Sequence, residues 1–333
     1  MAPIEIPKEK WSGPVREVTL GATGDGGTRT STVTVGGEAT LPFLQFEGAM
    51  PLKPAVAAEI VDIYPEDWSP ALLAVWGDEA RDPAAWAAKA VAAGAELLAL
   101  KLRGCHPDQG DHGPAEAVAA VKAVLGAVGV PLIVYGPGVA DKDNEVLVAV
   151  AEATKGERIA LANCTDKNYR TIVAGALGNG HVVVGQTPID VNLAKQLNIL
   201  ISDMGLSLDR VLLDPTTGAL GYGIEYSYSV MERLRLAALM GDSMTQQPMI
   251  CTVGEESWRQ KESRSPDGVP PEWGDFATRA VIWEIATAVT LLQSGADIVV
   301  LRHPAAIDRV KQAIDELMTG AVPEALAVSS PAV

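Results

Sequence analysis

Eight short apolar runs recur along this chain, each trailed by a stretch, often alanine-rich, of helical character: 55–62, 97–102, 132–135, 159–163, 182–185, 211–214, 249–252 and 298–301. Most of the runs are unbroken rather than alternating. A strand reads that way when both its faces are buried, as in a parallel sheet covered by helices. Eight strand–helix units is the number that closes such a sheet on itself, so the pattern predicts an α/β fold of the (β/α)8 or TIM barrel type. A doubly wound open sheet is the competing arrangement. It calls for a glycine-rich phosphate turn after its first strand, and no GxGxxG follows 55–62.

Local punctuation supports the same reading. Asp82-Pro83 and Pro114 open helices, whereas Gly94, Gly129, Gly180, Gly205 and Gly295 stand where helices should stop before the next strand. Two connections break the rhythm. One, 63–81, carries Trp68 and Trp76 and is expected to hold a short extra helix. The other, 253–275, is long, polar and proline-rich, an excursion on the functional face or a partner-contact loop. Ahead of the barrel, 15–46 alternates β-formers with glycine breaks (REVTLGAT, TSTVTVGG, LPFLQF), which predicts a β-hairpin or small meander. The expected division is an N-terminal β extension over 1–50, a barrel over 51–320 and a frayed tail over 321–333.

The 333 residues fit one barrel plus such an extension. With 48% hydrophobic and 20% charged residues the chain can bury a large core, which excludes global disorder. Lys and Arg total 26 against 42 Asp and Glu, a net charge of -16 that would repel nucleic acid and an anionic membrane alike. No apolar run reaches membrane-spanning length and the start MAPIEIPKEKW does not read as a signal peptide, so a cytoplasmic location is expected. Cys105, Cys164 and Cys251 are odd in number and widely spaced. They suggest neither a disulfide framework nor, within this chain, the four thiolates of an iron-sulfur cluster.

In barrels, function gathers at the carboxyl ends of the strands. Residues just past each run therefore become candidates, among them Arg103, Tyr135, Glu255 and Trp258. Four groups stand out for hydrogen-bonding chemistry: Asn163, Thr165 and Asp166; Thr187, Asp190 and Asn192; Asp214, Thr216, Thr217 and Tyr222; Arg302 and His303. The segment DPTTGALGYGIEYSY, with three glycines and two adjacent threonines, suits a backbone that closely approaches a flat or bulky ligand. Asp190 is also placed to cap the helix after the fifth run. Three other patterns are weaker. His106, Asp108 and His112 could ligate a metal, but GCHPDQGDHGP reads equally as a surface turn. Cys105 beside His106 has the elements of a nucleophile, though adjacent loop residues rarely face each other. Lys101 is a Schiff-base candidate if it faces the lumen. The alternation of LLALKLR leaves its direction open, and a lysine paired with a carboxylate is the plainer reading.

The segments TPIDVNLAKQLNILI, DPTTGALGYGIEYSYSVMERLRLAAL and ADIVVLRHP, with LLALKLRGCHPD upstream, resemble the small (delta) subunit of the corrinoid iron-sulfur protein of the acetyl-CoA (Wood-Ljungdahl) pathway, related to the delta subunit of archaeal acetyl-CoA decarbonylase/synthase. The resemblance runs from about residue 15 to about residue 318. It implies a TIM barrel and a methyl carrier that is not catalytic by itself. A large subunit would hold the iron-sulfur cluster and share a corrinoid (cobamide) at the interface. The methyl group would come from methyltetrahydrofolate through a separate methyltransferase and pass to acetyl-CoA synthase/CO dehydrogenase. On this reading the four groups above face the corrinoid or the large subunit. Two rival readings are a pterin-binding methyltransferase using Asn163, Asp190 and Asp214, and an aldolase-like barrel using Lys101.

Overall fold

The computed structural model describes residues 7–24 and 26–319; the tail assigned to 321–333 lies outside them. Two short strands, β1 (Val18–Leu20) and β2 (Val33–Val35), pair antiparallel. Eight more follow: β3 (Ala55–Val61), β4 (Leu97–Lys101), β5 (Leu132–Tyr135), β6 (Ala160–Cys164), β7 (Val182–Gln186), β8 (Val211–Asp214), β9 (Met249–Cys251) and β10 (Ala296–Leu301). They close into a parallel barrel in chain order, with β10 against β3 and β9. All eight expected runs are strands of that barrel, within a residue or two at each end.

The helices between them are α1 (Pro70–Trp76), α2 (Pro83–Ala92), α3 (Pro114–Ala127), α4 (Ala140–Ala153), α5 (Tyr169–Asn179), α6 (Val191–Asp203), α7 (Ile224–Leu239), α8 (Val253–Ser257), α9 (Lys261–Arg264), α10 (Phe276–Gln293) and α11 (Pro304–Thr319). Caps explain several starts. Asp82 accepts from the Ala84 amide ahead of α2, Asp190 accepts from Asn192 and Leu193 ahead of α6, and Asp275 accepts from Thr278 ahead of α10. The extra helix expected in 63–81 is α1, whose Trp76 packs against Trp86, which Trp68 also meets edge-on. The 253–275 excursion begins as α8 and α9. Gly129 departs from expectation: it does not take the positive φ of a helix stop, and a Cβ there would collide with Thr30, so its smallness admits the N-terminal extension.

Successive side chains of each strand point to opposite faces. One set, including Val56, Ile60, Leu98, Leu100, Val134 and Val299, packs under the helices in the main core. The other, including Ala57, Leu97, Ala99, Ile133, Val184, Leu212, Ile250 and Val300, fills the lumen together with Val18, Leu20 and Val35 of the hairpin. The extension therefore plugs the barrel floor instead of forming a core of its own. Arg29 fixes it there, paired with Glu157 at 3.0 Å and donating to the Leu125 and Val128 carbonyls. A third meander strand is absent. Residues 41–47 form successive turns, because Pro42 has no amide to give a ladder and Phe43 sits at φ 61°. Among the described residues no helix is long and apolar enough to cross a membrane.

A second buried lock lies at the same end, where Arg235 of α7 meets Asp297 at 2.7 Å and Glu38 at 3.2 Å and donates to the Gly295 carbonyl. Removing one member of such a cluster strands the remaining buried charges. Arg235→Ala is expected to cost about 3–5 kcal/mol in urea unfolding; a loss below about 1 kcal/mol, the range of exposed pairs, would show that water relieves the carboxylates.

Candidate functional site

The lumen changes character at its upper end. Along β3 the inward sequence is Ala55, Ala57, Glu59; along β4 it is Leu97, Ala99, Lys101; along β10 it is Ile298, Val300 and then Arg302 just beyond the strand. The same parity brings Tyr135, Gln186, Asp214 and Thr252 to the top layer. On β6 the register shifts between Leu161 and Cys164, which turns Cys164 outward and lets Asn163 line the mouth. The apolar layers of the lumen thus end in one polar layer.

Charges in that layer pair closely. Arg302 donates twice to Glu59 Oε1, at 2.6 and 3.0 Å, while its guanidinium lies 4.4 Å from the Trp68 ring centre. Lys101 pairs with Glu59 at 3.5 Å and with Glu255 of α8. Arg259 binds Glu255 at 2.5 Å and Glu256 at 2.6 Å. Burial pushes the Glu255 carboxyl up, but Lys101, Arg302 and Arg259 prevail and hold it down at about 2. Glu284 of α10 ties the surrounding loops together, accepting from the Arg302 and His303 amides at 2.5 and 3.2 Å and from Trp258 Nε1 at 2.8 Å. Despite those donors, full burial raises its carboxyl to about 7. Neither Glu59 nor Glu284 was singled out from sequence. Their one signal is a carboxylate inside an otherwise apolar run, AVAAEIV and VIWEIATAV.

The sequence candidates divide by what their polar atoms already do. Thr216, held at φ 68°, gives its hydroxyl to the Thr187 carbonyl at 2.7 Å; Thr217 accepts from the Thr252 amide at 2.9 Å. Asp214 is fully buried and accepts from Thr216 N and Gln186 Nε2. Asp190 is the cap of α6. Thr165 and Asn163 are both bonded to Asn168, through the Thr165 amide and the Asn163 carbonyl. Arg302 belongs to the lumen network, and His303 stacks on Trp258 at 6.0 Å, its imidazole pushed by burial down to about 4. These groups shape the mouth. Asp166 and Asn192 are exposed, Tyr222 is 77% exposed, and Thr187 Oγ1 and Asn163 Oδ1 are buried without a partner.

The structure does not assemble the other chemistries. His106 Nδ1 accepts from the Asp108 amide at 3.1 Å, whereas His112 lies beside Gly104 and Asp62, and among the described residues no group of three or more His, Cys, Asp or Glu side chains could hold a metal. All three cysteines are buried. Burial raises the Cys105 and Cys164 thiols to about 12, and Cys251 higher still, which is the opposite of an activated nucleophile. Lys101 does face the lumen, but between two carboxylates, the arrangement of a structural cation. The pterin set is dispersed in use: Asp190 and Asp214 already accept from protein donors.

Comparison with known proteins places this geometry. A family model for the CO dehydrogenase/acetyl-CoA synthase delta subunit matches residues 17–312. The delta subunit of the acetyl-CoA decarbonylase/synthase complex of Archaeoglobus fulgidus is 39% identical over 323 residues, 95% of this chain and 71% of the relative. That of Methanopyrus kandleri is 37% identical, covering 93% and 77%. Among solved structures, dihydropteroate synthases of Stenotrophomonas maltophilia and Coxiella burnetii superpose with TM-scores of 0.55 and 0.55 at 17% and 15% identity, covering 81% and 84% of this chain and 94% and 99% of theirs. At that identity the likeness is one of fold.

Burial raises Asp214 from the ordinary 3.8 to about 6, outweighing its hydrogen bonds to Thr216 and Gln186. The folded chain therefore binds this proton more tightly than the unfolded chain does. Its contribution is complete below pH 3.8 and is lost as pH rises to about 6, on the order of 3 kcal/mol in all. Asp214→Asn, which Gln186 can accommodate by turning its amide, should remove that slope. Unfolding free energies of the two proteins are expected to converge or cross as pH rises from 4 to about 7; a gap independent of pH would refute the assignment.

Proposed function

This chain belongs to the CO dehydrogenase/acetyl-CoA synthase delta subunit family, and we propose that it acts there as the small subunit of a corrinoid iron-sulfur protein, a methyl carrier. The observation that carries the proposal is the contrast between a mouth whose nucleophile candidates, Lys101 and the cysteine thiols, are ion-paired or held protonated and a rim whose apolar side chains are uncovered. Tyr222, Tyr226, Ile189 and Leu193 stand exposed on the loops and helix starts after β7 and β8. The two loops are joined by the Thr216–Thr187 hydrogen bond, so the apolar side chains are presented on a shared support. A chain that buries most of its large apolar residues leaves such a group bare where something is to cover it.

The donor set suits a corrinoid. Its macrocycle is broad and flat with primary amides at its edge, groups that both donate and accept. Thr187 Oγ1, buried and unpartnered, and the exposed Asp166 and Asn192 offer complementary partners, while Tyr222 and Ile189 offer apolar cover. When bound, the corrinoid supplies the cobalt that carries the methyl group. The chain's own residues then exclude water at the rim and orient the face they touch. They do not attack: Lys101 is ion-paired, the thiols are held protonated, and Asp214 is sealed behind Thr216.

The iron-sulfur cluster and the greater part of the corrinoid site are assigned to a large subunit, the methyl donor to a methyltetrahydrofolate methyltransferase and the acceptor to acetyl-CoA synthase/CO dehydrogenase. The relatives' names, subunits of an acetyl-CoA decarbonylase/synthase complex, support assembly of this kind. In a heterodimer reconstituted with its large subunit, Tyr222→Ala together with Ile189→Ala removes apolar cover worth about 1.5–3 kcal/mol per fully buried side chain. Corrinoid retention should fall at least about tenfold, with methylation falling in parallel. Unchanged cobalt content and methylation rate would sink the proposal.

A further inference from the structure

Below the rim, on the side of β4, β5, β6 and α8, lies a cavity of about 400 Å³, within the range that takes a small molecule. Its wall inverts the charge of the protein. Five Lys and Arg side chains line it against two carboxylates, in a chain with 26 basic and 42 acidic residues. Glu59 and Glu256, behind the wall, neutralise Arg302 and Arg259. With Asp67 on Arg103 and Glu255 on Lys101, the one surplus positive charge sits on Arg264, and Arg103 adds donors its carboxylate does not use. Among the described residues Arg264 has no ion-pair partner, and Arg103 engages only Nη1, with Asp67 at 2.8 Å, leaving Nε and Nη2 unbonded.

Uncommitted polar atoms of uncharged side chains line the same cavity. Tyr135, 3% exposed, has no partner for its hydroxyl; nor has Asn163 for Oδ1, nor Ser69, 6% exposed, for Oγ. Buried polar atoms are normally satisfied, so three unsatisfied ones around a single space mark a place where a ligand or water completes the bonding. Trp68, Trp258 and the Tyr135 ring supply flat apolar walls between them.

From this we infer that the lumen cavity is a binding site for a small molecule bearing an oxyanion, carboxylate or phosphate, gripped by Arg103 and Arg264, with its neutral polar end reaching Tyr135 and Asn163. Guanidinium forks match both oxyanions in geometry. The site does not rest on the corrinoid reading, since it is lined by different loops from those bearing Tyr222 and Ile189.

The test is calorimetric titration of the full chain, at low ionic strength, with orthophosphate and separately with succinate. Saturable binding of one equivalent is expected for at least one probe. Preference for phosphate identifies a phosphate ester as the source, preference for succinate a carboxylic acid, and equal affinity a site that reads the shared charge. Arg103→Gln and Arg264→Gln should each weaken binding about tenfold, the cost of one lost charge-assisted contact. Arg264 is exposed, so its variant folds and decides the matter if Arg103→Gln does not. Corrinoid retention by the heterodimer should be unchanged in Arg264→Gln. Absence of saturable binding at millimolar probe, or wild-type affinity in the Arg264 variant, would overturn the inference.

Discussion

Everything at the working end of this molecule follows from the two-residue alternation of strands locked in a closed ring. Once β3 through β10 pair in parallel, each second side chain must enter the lumen, and no edge remains where register could slip. Ala57, Ala99, Leu212 and Val300 then fill the lower layers, the hairpin residues Val18, Leu20 and Val35 seal the floor, and Glu59, Lys101, Tyr135, Asp214 and Arg302 have nowhere to go but the top. Burying that many charges is costly in itself. Glu59 and Glu255 persist there because each meets cations, Arg302 and Lys101 sharing Glu59 and Lys101 and Arg259 sharing Glu255, while Asp214 is held by hydrogen bonds from Thr216 and Gln186.

That pairing also decides what the mouth cannot do. A lysine between two carboxylates, thiols pushed up by burial and an aspartate sealed under a threonine are poor nucleophiles. A stable, chemically quiet surface is what a carrier subunit needs if the reactive centre belongs to a cofactor held with another chain. The parts left unsatisfied fall into two sets: exposed aromatic and aliphatic side chains, with the Thr187 hydroxyl, on the β7 and β8 loops, and Arg264 with the orphaned polar atoms of Ser69, Tyr135 and Asn163 around the cavity.

Much of the mouth was legible in the residues, but not the use each is put to. Position after a strand end put Asp214, Thr216 and Thr217 at the mouth correctly, yet their hydrogen bonds run to Gln186, Thr187 and Thr252, which lie on other strands and loops. Asp190 was readable as a cap because a cap is local. Glu59 and Glu284 escaped notice because an isolated acid in an apolar run has no local partner to announce its role; Arg302 becomes its neighbour only after closure. Of the two forms expected for the N-terminal extension the hairpin is the one observed, and LPFLQF adds no strand to it for a local reason, Pro42.

The order of eight apolar runs, their helical spacers and caps were determined by sequence alone, since hydrophobic periodicity and capping act over a few residues. So was the family, through long strings of residues rather than any single motif. Which way Lys101 points, which acids neutralise it, that the hairpin enters the barrel floor and that Asn163 turns inward were decided only by the tertiary structure. Those outcomes depend on ring closure and on a one-residue register shift in β6, which bring together groups as far apart in the chain as Glu59 and Arg302.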